Sequence, residues 1–340
     1  MTDTTTAAPF WAEHAELAGR YDTRVEWLEL RRTGIGSSDC SAVLGMGKYG
    51  SPFSVWADKT GKTKPADETE AMLWGTLLEP VIRAELAARL DVEIVECPTL
   101  RSLIRPWQLY NPDGLILAAN ALVEIKNASA WLAQEWVDGE VPDHAELQVQ
   151  HGMAVTGADG AYVAGLVGGN RLRWEYIPRD DHLIDNVIIP AEQHLWDTYI
   201  VPDVAPPIDG SDATAEAIAE RWPRRFDVEE RAADVDAVLA EVAAYQFAHA
   251  AEKQAKVDKA QAVNRLTDML RGADVLLDEV GGKLVALKRG QFREKAFRTD
   301  EPDADLYLHK VEVIDRDSLK SENPELFRRY QSTSIYFPKG

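Results

Sequence analysis

Apolar residues recur along the first two hundred residues with periods that predict alternating helices and strands. From Thr69, the stretch ETEAMLWGTLLEPVIRAELAARL spaces its large apolar residues as one face of a helix does, with Pro80 as the disfavoured residue. The stretch DHAELQVQHGMAVTG has the same spacing, and Gly157 is placed to end that helix. Between the two helices, short apolar runs predict strands near residues 92–97, 102–110, 115–117 and 122–126.

The later part of the chain changes character. AYVAGLV and RLRWEYI flank GGN at 168–170, which predicts a hairpin, and a helix follows over roughly 181–200. VAPPIDGSD at 204–212 has linker composition, and 227–271 predicts either one long helix or a helical hairpin. GGKLVALKR, KVEVI (310–314) and TSIYF (333–337) predict further strands. We therefore predict a core over 10–203, a linker over 204–212 and a helical and β accessory region over 213–340.

Composition limits the class of protein. Of 340 residues, 45% are hydrophobic and 28% are charged, which is ordinary for a globular protein in water. We expect no membrane span and no signal peptide, since the start MTDTTTAAPF lacks a basic segment and an apolar core. Two cysteines allow neither a disulfide framework nor a four-thiolate iron–sulfur cluster. A reducing cytosol is the expected compartment.

The net charge of -20 argues against a general nucleic-acid coat, because binding phosphate needs clustered Lys and Arg. An enzyme that acts on DNA through a local basic groove remains compatible with this charge.

The stretch NPDGLILAANALVEIK, residues 111–126, carries the chemistry. Side chains alternate faces along a strand, so Glu124 and Lys126 share a face, and Asp113 in the preceding turn is close enough to meet them. Two carboxylates are suitable ligands for Mg²⁺, and the amine could place or deprotonate water or stabilise charge on phosphorus. The alternative is a common Pro-Asp-Gly turn beside the solvated face of a strand.

Two further polar residues fall on the flanking helices. Glu79 lies among apolar residues of the first helix, where an acid is costly unless it is paired or bound to a metal. Gln148 lies on the second helix and offers a neutral amide that can orient a ligand or water. His144 and His151 share a face of that helix, but no third nitrogen or sulfur ligand is near them in sequence, so we expect a helix start and a core or groove residue.

The order of these motifs resembles a known family. NPDG followed by VEIK is similar to the PD-(D/E)xK nuclease signature. WLELRRTGIGSSD, AMLWGTLLEPVI, NPDGLI, LVEIK and LQVQHGMAVTG together resemble the YqaJ-type viral recombinase group, which includes the phage lambda exonuclease. The resemblance implies an α/β fold with a restriction-endonuclease-like core, in which helices flank a central mixed β-sheet, followed by a C-terminal helical and β appendage.

The resemblance also implies roles for matching residues. The metal ligands that it implies, for Mg²⁺ or for Mn²⁺ as a substitute, are Asp113, Glu124, Glu79 and the main-chain oxygen of Ile125. Lys126 would be the catalytic lysine, and Gln148 would orient water or that lysine. Relatives commonly carry an aromatic residue where this chain has Gly152.

A grip on the 5′-phosphate is implied for the N-terminal loop, with Arg31 and Ser38 at the matching positions and with Arg32 and Ser37 as neighbouring alternatives. From the residues alone, GIGSSD (34–39) could cradle a phosphate with backbone N–H groups or could be a helix cap made by Ser38 or Asp39. Both interpretations stay open at this point.

The implied activity is Mg²⁺-dependent hydrolysis of DNA, by 5′-to-3′ degradation of one strand of a linear duplex, which leaves single-stranded tails for recombination. The resemblance further implies a single-strand annealing protein as partner, a ring-shaped homo-oligomer such as a trimer, and a phage or prophage protein acting in the bacterial cytosol. An endonuclease or nickase on the same core is the alternative enzyme. An inactive DNA-associated interaction module is the alternative of another class.

Overall fold

The strands form two four-stranded sheets and one separate hairpin in a computed structural model that describes residues 8–19, 21, 23–64, 69–137, 139–225, 228–287 and 316–324. Numbered in chain order, they are β1 (Ala15–Leu17), β2 (Ile35–Gly36), β3 (Leu100–Ser102), β4 (Gln108–Tyr110), β5 (Gly114–Ile116), β6 (Ala121–Ala128), β7 (Gly160–Val167), β8 (Arg171–Pro178), β9 (Val275–Leu277) and β10 (Lys283–Ala286).

The α-helices are α1 (Arg24–Arg32), α2 (Cys40–Val43), α3 (Pro52–Lys59), α4 (Glu70–Leu90), α5 (Asp143–Thr156), α6 (Asp181–Leu183), α7 (Ile189–Leu195), α8 (Asp212–Arg221), α9 (Val235–Leu270) and α10 (Arg316–Glu322). Short 3₁₀ turns lie at Phe10–Glu13, Ser37–Asp39, Leu117–Ala119 and Ala130–Trp136, and π-helical turns lie at Ile184–Ile188 and Trp196–Ile200. Among the described residues, none of the helices has both the length and the apolar character that a bilayer requires.

The central sheet is mixed and has a helix on each face. Its order is β5-β6-β7-β8, with β6 and β7 parallel and the other two pairs antiparallel. Along β6 the side chains alternate, as expected for a strand. Leu122 packs in the cluster that includes α5, whereas Val123 and Ile125 pack in the cluster that includes α4. The predicted α/β fold with a mixed sheet flanked by helices is therefore confirmed.

The capping residues define the helices that flank this sheet. The Thr69 hydroxyl accepts a hydrogen bond from the Met72 N–H at 3.2 Å and starts α4, which continues through Pro80 and ends at Asp91 with φ 53°. Gly157, with φ 72°, ends α5 as predicted. The predicted hairpin is also present, since β7 and β8 pair antiparallel across residues 168–170.

The prediction of a strand over 92–97 is wrong. Within this stretch only Val95 forms a β-bridge, to Leu115. Strand β5 is only three residues long, and its other side is already paired with β6, so it provides few positions for a longer strand to pair with. The predicted strands at 310–314 and 333–337 lie outside the described residues.

The chain divides into two compact units, Met1–Val228 and Glu229–Gly340, so the boundary falls later than the predicted linker. The reason is α8, which the sequence interpretation placed in the accessory region. Thr214 of α8 makes a buried hydrogen bond with Ser51 at 2.7 Å between hydroxyl oxygens, and Ala217 packs in the cluster around Trp56. In the second unit, α9 is one continuous helix rather than a helical hairpin.

A buried polar clamp joins the elements behind the central sheet. His151 of α5 contacts Glu192 of α7 through Nδ1 at 2.7 Å and the main-chain oxygen of Leu109 in β4 through Nε2 at 2.8 Å. Gln108 donates to the other Glu192 oxygen at 2.7 Å. A carboxylate and a carbonyl both accept, so the two ring contacts are satisfied together by an imidazolium. Burial alone would lower the pKa of His151, but the Glu192 charge and hydrogen bond raise that pKa above its ordinary value.

The clamp predicts a pH-dependent stability. Because the folded pKa of His151 is raised, its stabilising contribution is complete below the unfolded pKa of about 6.5 and is lost as pH rises through the folded pKa. His151→Gln should lower the free energy of unfolding by about 3 kcal/mol at pH 6 and by less at pH 9. Thermal denaturation of both proteins across this range measures the difference. Exposed His182→Gln is the control, and a gap that widens with pH would contradict the assignment.

Replacing either of two helical glycines with alanine should change stability, in opposite directions for the two positions. A Cβ on Gly152 would lie 2.7 Å from the Tyr110 ring and 2.9 Å from a Leu122 methyl, and both neighbours are fully buried. Gly152→Ala should therefore destabilise the first unit by about 1–3 kcal/mol. A Cβ on Gly75 meets nothing within 4 Å, so Gly75→Ala should stabilise α4 by up to about 1 kcal/mol. Urea denaturation of both variants tests the pair, and equal effects would contradict the packing.

Candidate functional site

Asp113 and Glu124 are brought to the same edge of the central sheet by a tight turn and an antiparallel pair. Gly114 pairs with Val123, which places the Pro-Asp-Gly turn beside the next residues of β6. An Asp113 oxygen accepts a hydrogen bond from the Ile125 N–H at 2.7 Å. In an extended strand the N–H and C=O of one residue point toward the same neighbour, so the Ile125 carbonyl lies on the Asp113 side. Three oxygen donors thus lie at this edge.

Lys126 lies on the same face of β6 as Glu124, as the alternation predicted. Its ammonium donates hydrogen bonds to a Glu124 oxygen and to the Gln148 amide oxygen, each at 2.6 Å. Burial alone would lower the pKa of Lys126, but the Glu124 charge and hydrogen bond, together with Asp113, raise it above its ordinary value. The lysine is therefore held in its charged form by groups from β6 and α5.

The carboxylates of Asp113 and Glu124 repel each other in a position that is largely shielded from solvent. Glu124 is 4% exposed. Burial, followed by the nearby Glu124 charge, raises the pKa of Asp113 well above its usual range, and the Ile125 hydrogen bond offsets part of this rise. A buried acid beside a partly buried acid, without enough positive charge, is the electrostatic condition that binding a cation relieves.

Glu79 reaches this edge from α4, and Arg83 one turn later ties the helix to the turn. Glu79 is half-buried, and burial, more than the opposing Arg83 charge, raises its pKa. Arg83 contacts Glu79 at 3.6 Å and donates to the Asp113 main-chain oxygen at 2.7 Å. Sequence reasoning missed Arg83, although its position four residues after Glu79 on a helix was a usable signal.

The opposite wall of the site is the loop between α1 and α2. The Arg31 guanidinium lies 5.0 Å from the centre of the Trp27 ring and donates to the Ser38 hydroxyl at 3.0 Å. Asp39 is 3.4 Å from the same nitrogen, and the buried Lys59 ammonium lies 2.7 Å from the second Asp39 oxygen. Burial alone would raise the pKa of Asp39, but the Lys59 and Arg31 charges hold it below its ordinary value.

One backbone amide of the GIGSSD loop is already engaged within the loop. The Gly36 N–H donates to Asp39 at 2.9 Å, so Asp39 caps the loop and this N–H is not available to a phosphate. Arg32 is directed elsewhere, since it donates to the Thr63 main-chain oxygen at 3.3 Å and lies 3.7 Å from Asp58. Of the two adjacent arginines, only Arg31 lines the cavity described next.

A cavity of about 320 Å³ collects the predicted residues. All of the predicted site residues except Arg32 line it, namely Arg31, Ser37, Ser38, Glu79, Asp113, Glu124, Ile125, Lys126 and Gln148. Trp27, Thr99 and Asn111 also line the cavity and were not singled out from the sequence. The carboxylates of this cavity can bind a hard cation, and that cation can contact an anion. Lys126 and Arg31 would then lie on two sides of the anion.

A second cavity of about 760 Å³ shares Ser38 and Gln148 with the first and includes His144. Burial, and then the Lys126 charge, lower the pKa of His144. His151 does not pair with His144, which agrees with the sequence interpretation.

A cluster in the core contains His151 instead. Ligand atoms of Cys40, His151 and Glu192 lie within 4.8 Å of one another there. Both nitrogens of His151 already make hydrogen bonds, and a sulfur and a nitrogen are poor ligands for Mg²⁺, so this cluster does not fit the predicted ion.

Comparison with known proteins connects the site to a family. Residues 26–159 match the YqaJ-like viral recombinase domain. The uncharacterized protein YqaJ of Bacillus subtilis (strain 168) is 38% identical over 204 residues, which are 59% of this chain and 64% of that protein.

Among solved structures, an alkaline exonuclease from Laribacter hongkongensis is 23% identical, with a TM-score of 0.45, over 51% of this chain and 91% of its own. A phage related exonuclease from Haemophilus somnus 129PT is 13% identical, with a TM-score of 0.39, over 52% of this chain and 99% of its own. The family match covers the turn, the strand and both flanking helices of the site, so this part of the chain is similar to the YqaJ-like viral recombinase domain.

Proposed function

We propose that the protein is a metal-dependent deoxyribonuclease, and specifically a 5′-to-3′ exonuclease that degrades one strand of linear duplex DNA. The observation that supports this most directly is that Asp113, Glu124 and Lys126 share one cavity with Arg31 and Ser38. An acidic edge faces a cationic wall across a small space. That combination suits a phosphodiester held between a cation and a guanidinium.

The residues fit a divalent cation by the chemistry of their donors. Asp113, Glu124 and the main-chain oxygen of Ile125 would hold it, with Glu79 supporting it from α4. Mg²⁺ and Mn²⁺ prefer such an oxygen-only set. Burial, and then the Glu124 charge, raise the pKa of Asp113, which supports a cation at this edge. When bound, the ion supplies charge neutralisation for the phosphate and lowers the pKa of coordinated water.

Lys126 acts as a charged donor in this proposal. Its raised pKa and its two short hydrogen bonds support an ammonium that stabilises negative charge developing on the phosphate, rather than a base that removes a proton from water. Gln148 positions the ammonium, because its amide oxygen accepts from Lys126 and leaves the Lys126 side chain little rotational freedom.

Arg31 would bind the terminal 5′-phosphate. Stacking on Trp27 and the ion pair with Asp39 hold the guanidinium in place before substrate arrives, so little side-chain entropy is lost on binding. Ser37 and Ser38 provide hydroxyl groups beside it. Since the chain carries a net charge of -20, this local wall, rather than the overall charge, must attract the DNA.

The wider setting belongs to the same proposal. Single-stranded tails left by such an exonuclease are substrates for an annealing protein, and we place the reaction in a bacterial cytosol during recombination of phage DNA. A ring-shaped homo-oligomer would keep the enzyme on the duplex. These elements follow from the family resemblance.

Replacing Lys126 tests the catalytic assignment. With Mg²⁺ and 5′-phosphorylated linear duplex, Lys126→Ala should lower the digestion rate by about a hundredfold to a thousandfold, because a donor to the transition state is lost. Lys62→Ala is the matched control, since Lys62 pairs with Asp203 and does not line the cavity. Equal digestion by the variant and the wild type, or none by either, would contradict the nuclease assignment. Rapid digestion of closed circular duplex would favour the endonuclease alternative.

The neighbouring arginines test the 5′-phosphate grip. Arg31→Gln should reduce kcat/KM on 5′-phosphorylated ends by roughly tenfold to a hundredfold, because a charge-assisted hydrogen bond is lost, and it should abolish the preference over 5′-hydroxyl ends. Arg32→Gln should leave that preference intact. The salt dependence of DNA binding should also become shallower in Arg31→Gln alone. A preference that survives in Arg31→Gln would place the grip elsewhere.

A further inference from the structure

Helix α9 has one face that repeats at alternating steps of three and four residues. Its positions are 235, 238, 242 and 245 in an apolar block, 249, 252, 256 and 259 in a polar block, and 263, 266 and 270 in a second apolar block. A strict 3.5-residue repeat is the pattern of a helix that supercoils around another helix. The face extends for roughly 45 Å between positions 235 and 266.

The apolar residues of this face are exposed. Val238 is 50% exposed, Val263 is 51% exposed and Leu266 is 40% exposed. Every residue of α9 before Leu270 is at least partly exposed, whereas Leu270 is buried within the second unit. An exposed apolar seam on a helix of 36 residues indicates an interaction surface, because burying it against another helix would remove that surface from water.

The polar block constrains the identity of the partner helix. It consists of His249, Glu252, Lys256 and Lys259. In a parallel pair of two copies, each position faces its own copy, so Glu252 would face Glu252 and each lysine would face the same lysine. Like charges in such layers are destabilising. Glu252 and Lys256 also pair with each other within one helix, so the like-charge cost of a parallel arrangement falls mainly on the Lys259 layer.

An antiparallel pair of two copies avoids these contacts. With residue numbers in facing layers summing to 501, Val238 faces Val263 of the second copy, and His249 faces Glu252. Lys256 faces Tyr245, where an ammonium can lie over an aromatic ring while its carbon chain covers apolar surface. Lys259 faces Val242 in this register, and the other layers are complementary to themselves under a two-fold axis, which is the commonest symmetry of protein oligomers.

The burial of Leu270, at the C-terminal end of α9, distinguishes between two antiparallel registers. An antiparallel pair shifted by one heptad would place Val238 against Leu270 and His249 against Lys259. Leu270 is only 4% exposed and so has little surface to offer a second copy. The unshifted register does not use Leu270.

We infer that α9 is a self-association helix, and that two copies of this chain pair through it in antiparallel orientation with Val238 of one copy against Val263 of the other. The pairing is independent of the nuclease site. It would join two chains into a dimer through α9, in addition to any contacts that their first units make.

Two valines on the same helix test the surface. Val263→Lys should weaken the α9-dependent association of the full chain by about tenfold or more, since two valine layers are lost in each dimer. Val257→Lys is the matched control, because Val257 is 45% exposed on the same helix but lies off the repeating face. Sedimentation equilibrium measures both, and circular dichroism checks that helix content is unchanged. A wild type whose mass equals that of Val263→Lys at every concentration would overturn the inference.

Thiol crosslinking tests orientation and register. In a Cys97→Ser background, mixing Val238→Cys chains with Val263→Cys chains should give a crosslinked heterodimer, whereas each variant alone should give little product. The parent chain, which keeps only the buried Cys40, is the control. Efficient crosslinking of Val238→Cys with itself would show a parallel pair and overturn the inference. Crosslinking of Val242→Cys with Leu266→Cys in place of the 238–263 product would overturn the register.

Discussion

The repulsion between the buried Glu124 carboxylate and the partly buried Asp113 carboxylate is the constraint around which the site in the first unit is organised. Asp113 and Glu124 lie at one edge of the central sheet, and burial raises the pKa of Asp113 while Glu124 adds to the effect. The surroundings offset this cost with the Ile125 N–H and the Lys126 ammonium. Both groups belong to β6, which also carries Glu124. The strand that contributes one of the repelling charges therefore also contributes the groups that stabilise the pair. The remaining negative charge is what makes the edge a suitable place for a cation.

The cationic wall depends on a different set of contacts. Arg31 is bracketed by Trp27 and Asp39, and Asp39 in turn is held by a lysine whose side chain is fully buried. Lys59 also donates to the Arg31 main-chain oxygen at 3.0 Å, so one buried ammonium supports the whole loop. An acidic chain can present a positive surface in this way, because paired charges in the interior fix the orientation of one partly exposed guanidinium. The wall and the edge are then two sides of one cavity.

Helix α5 carries Gln148 toward the cavity and His151 toward the core, and this links the site to its scaffold. The residues are three apart, and they meet Lys126 on one side and Glu192 on the other. The Leu109 carbonyl that His151 contacts belongs to β4, which also pairs in parallel with β2 at the start of the GIGSSD loop. A proton on one buried imidazole therefore stabilises elements on both sides of the cavity. The second unit has a different character, since nearly all of α9 faces outward with a self-complementary pattern.

By itself, the sequence determined the features that rest on short-range geometry. Alternation along a strand places Glu124 and Lys126 on one face, a tight turn brings Asp113 to the same edge, and helical spacing presents Glu79 and Gln148. The end of α5 at Gly157 and the hairpin at 168–170 were predictable for the same reason, because turn and cap conformations depend on a few adjacent residues. The order of these motifs predicted the similarity to the YqaJ-like viral recombinase domain.

Only the tertiary structure decided which distant residues support that site. Arg83, Lys59 and Trp27 act through partners that local spacing cannot identify, and the choice of Arg31 over Arg32 depends on which side of α1 meets the cavity. The placement of α8 with the first unit and the loss of the strand over 92–97 have the same origin. In each case the outcome depends on packing between segments far apart in the chain, where burial and pairing outweigh the local preference of the residues.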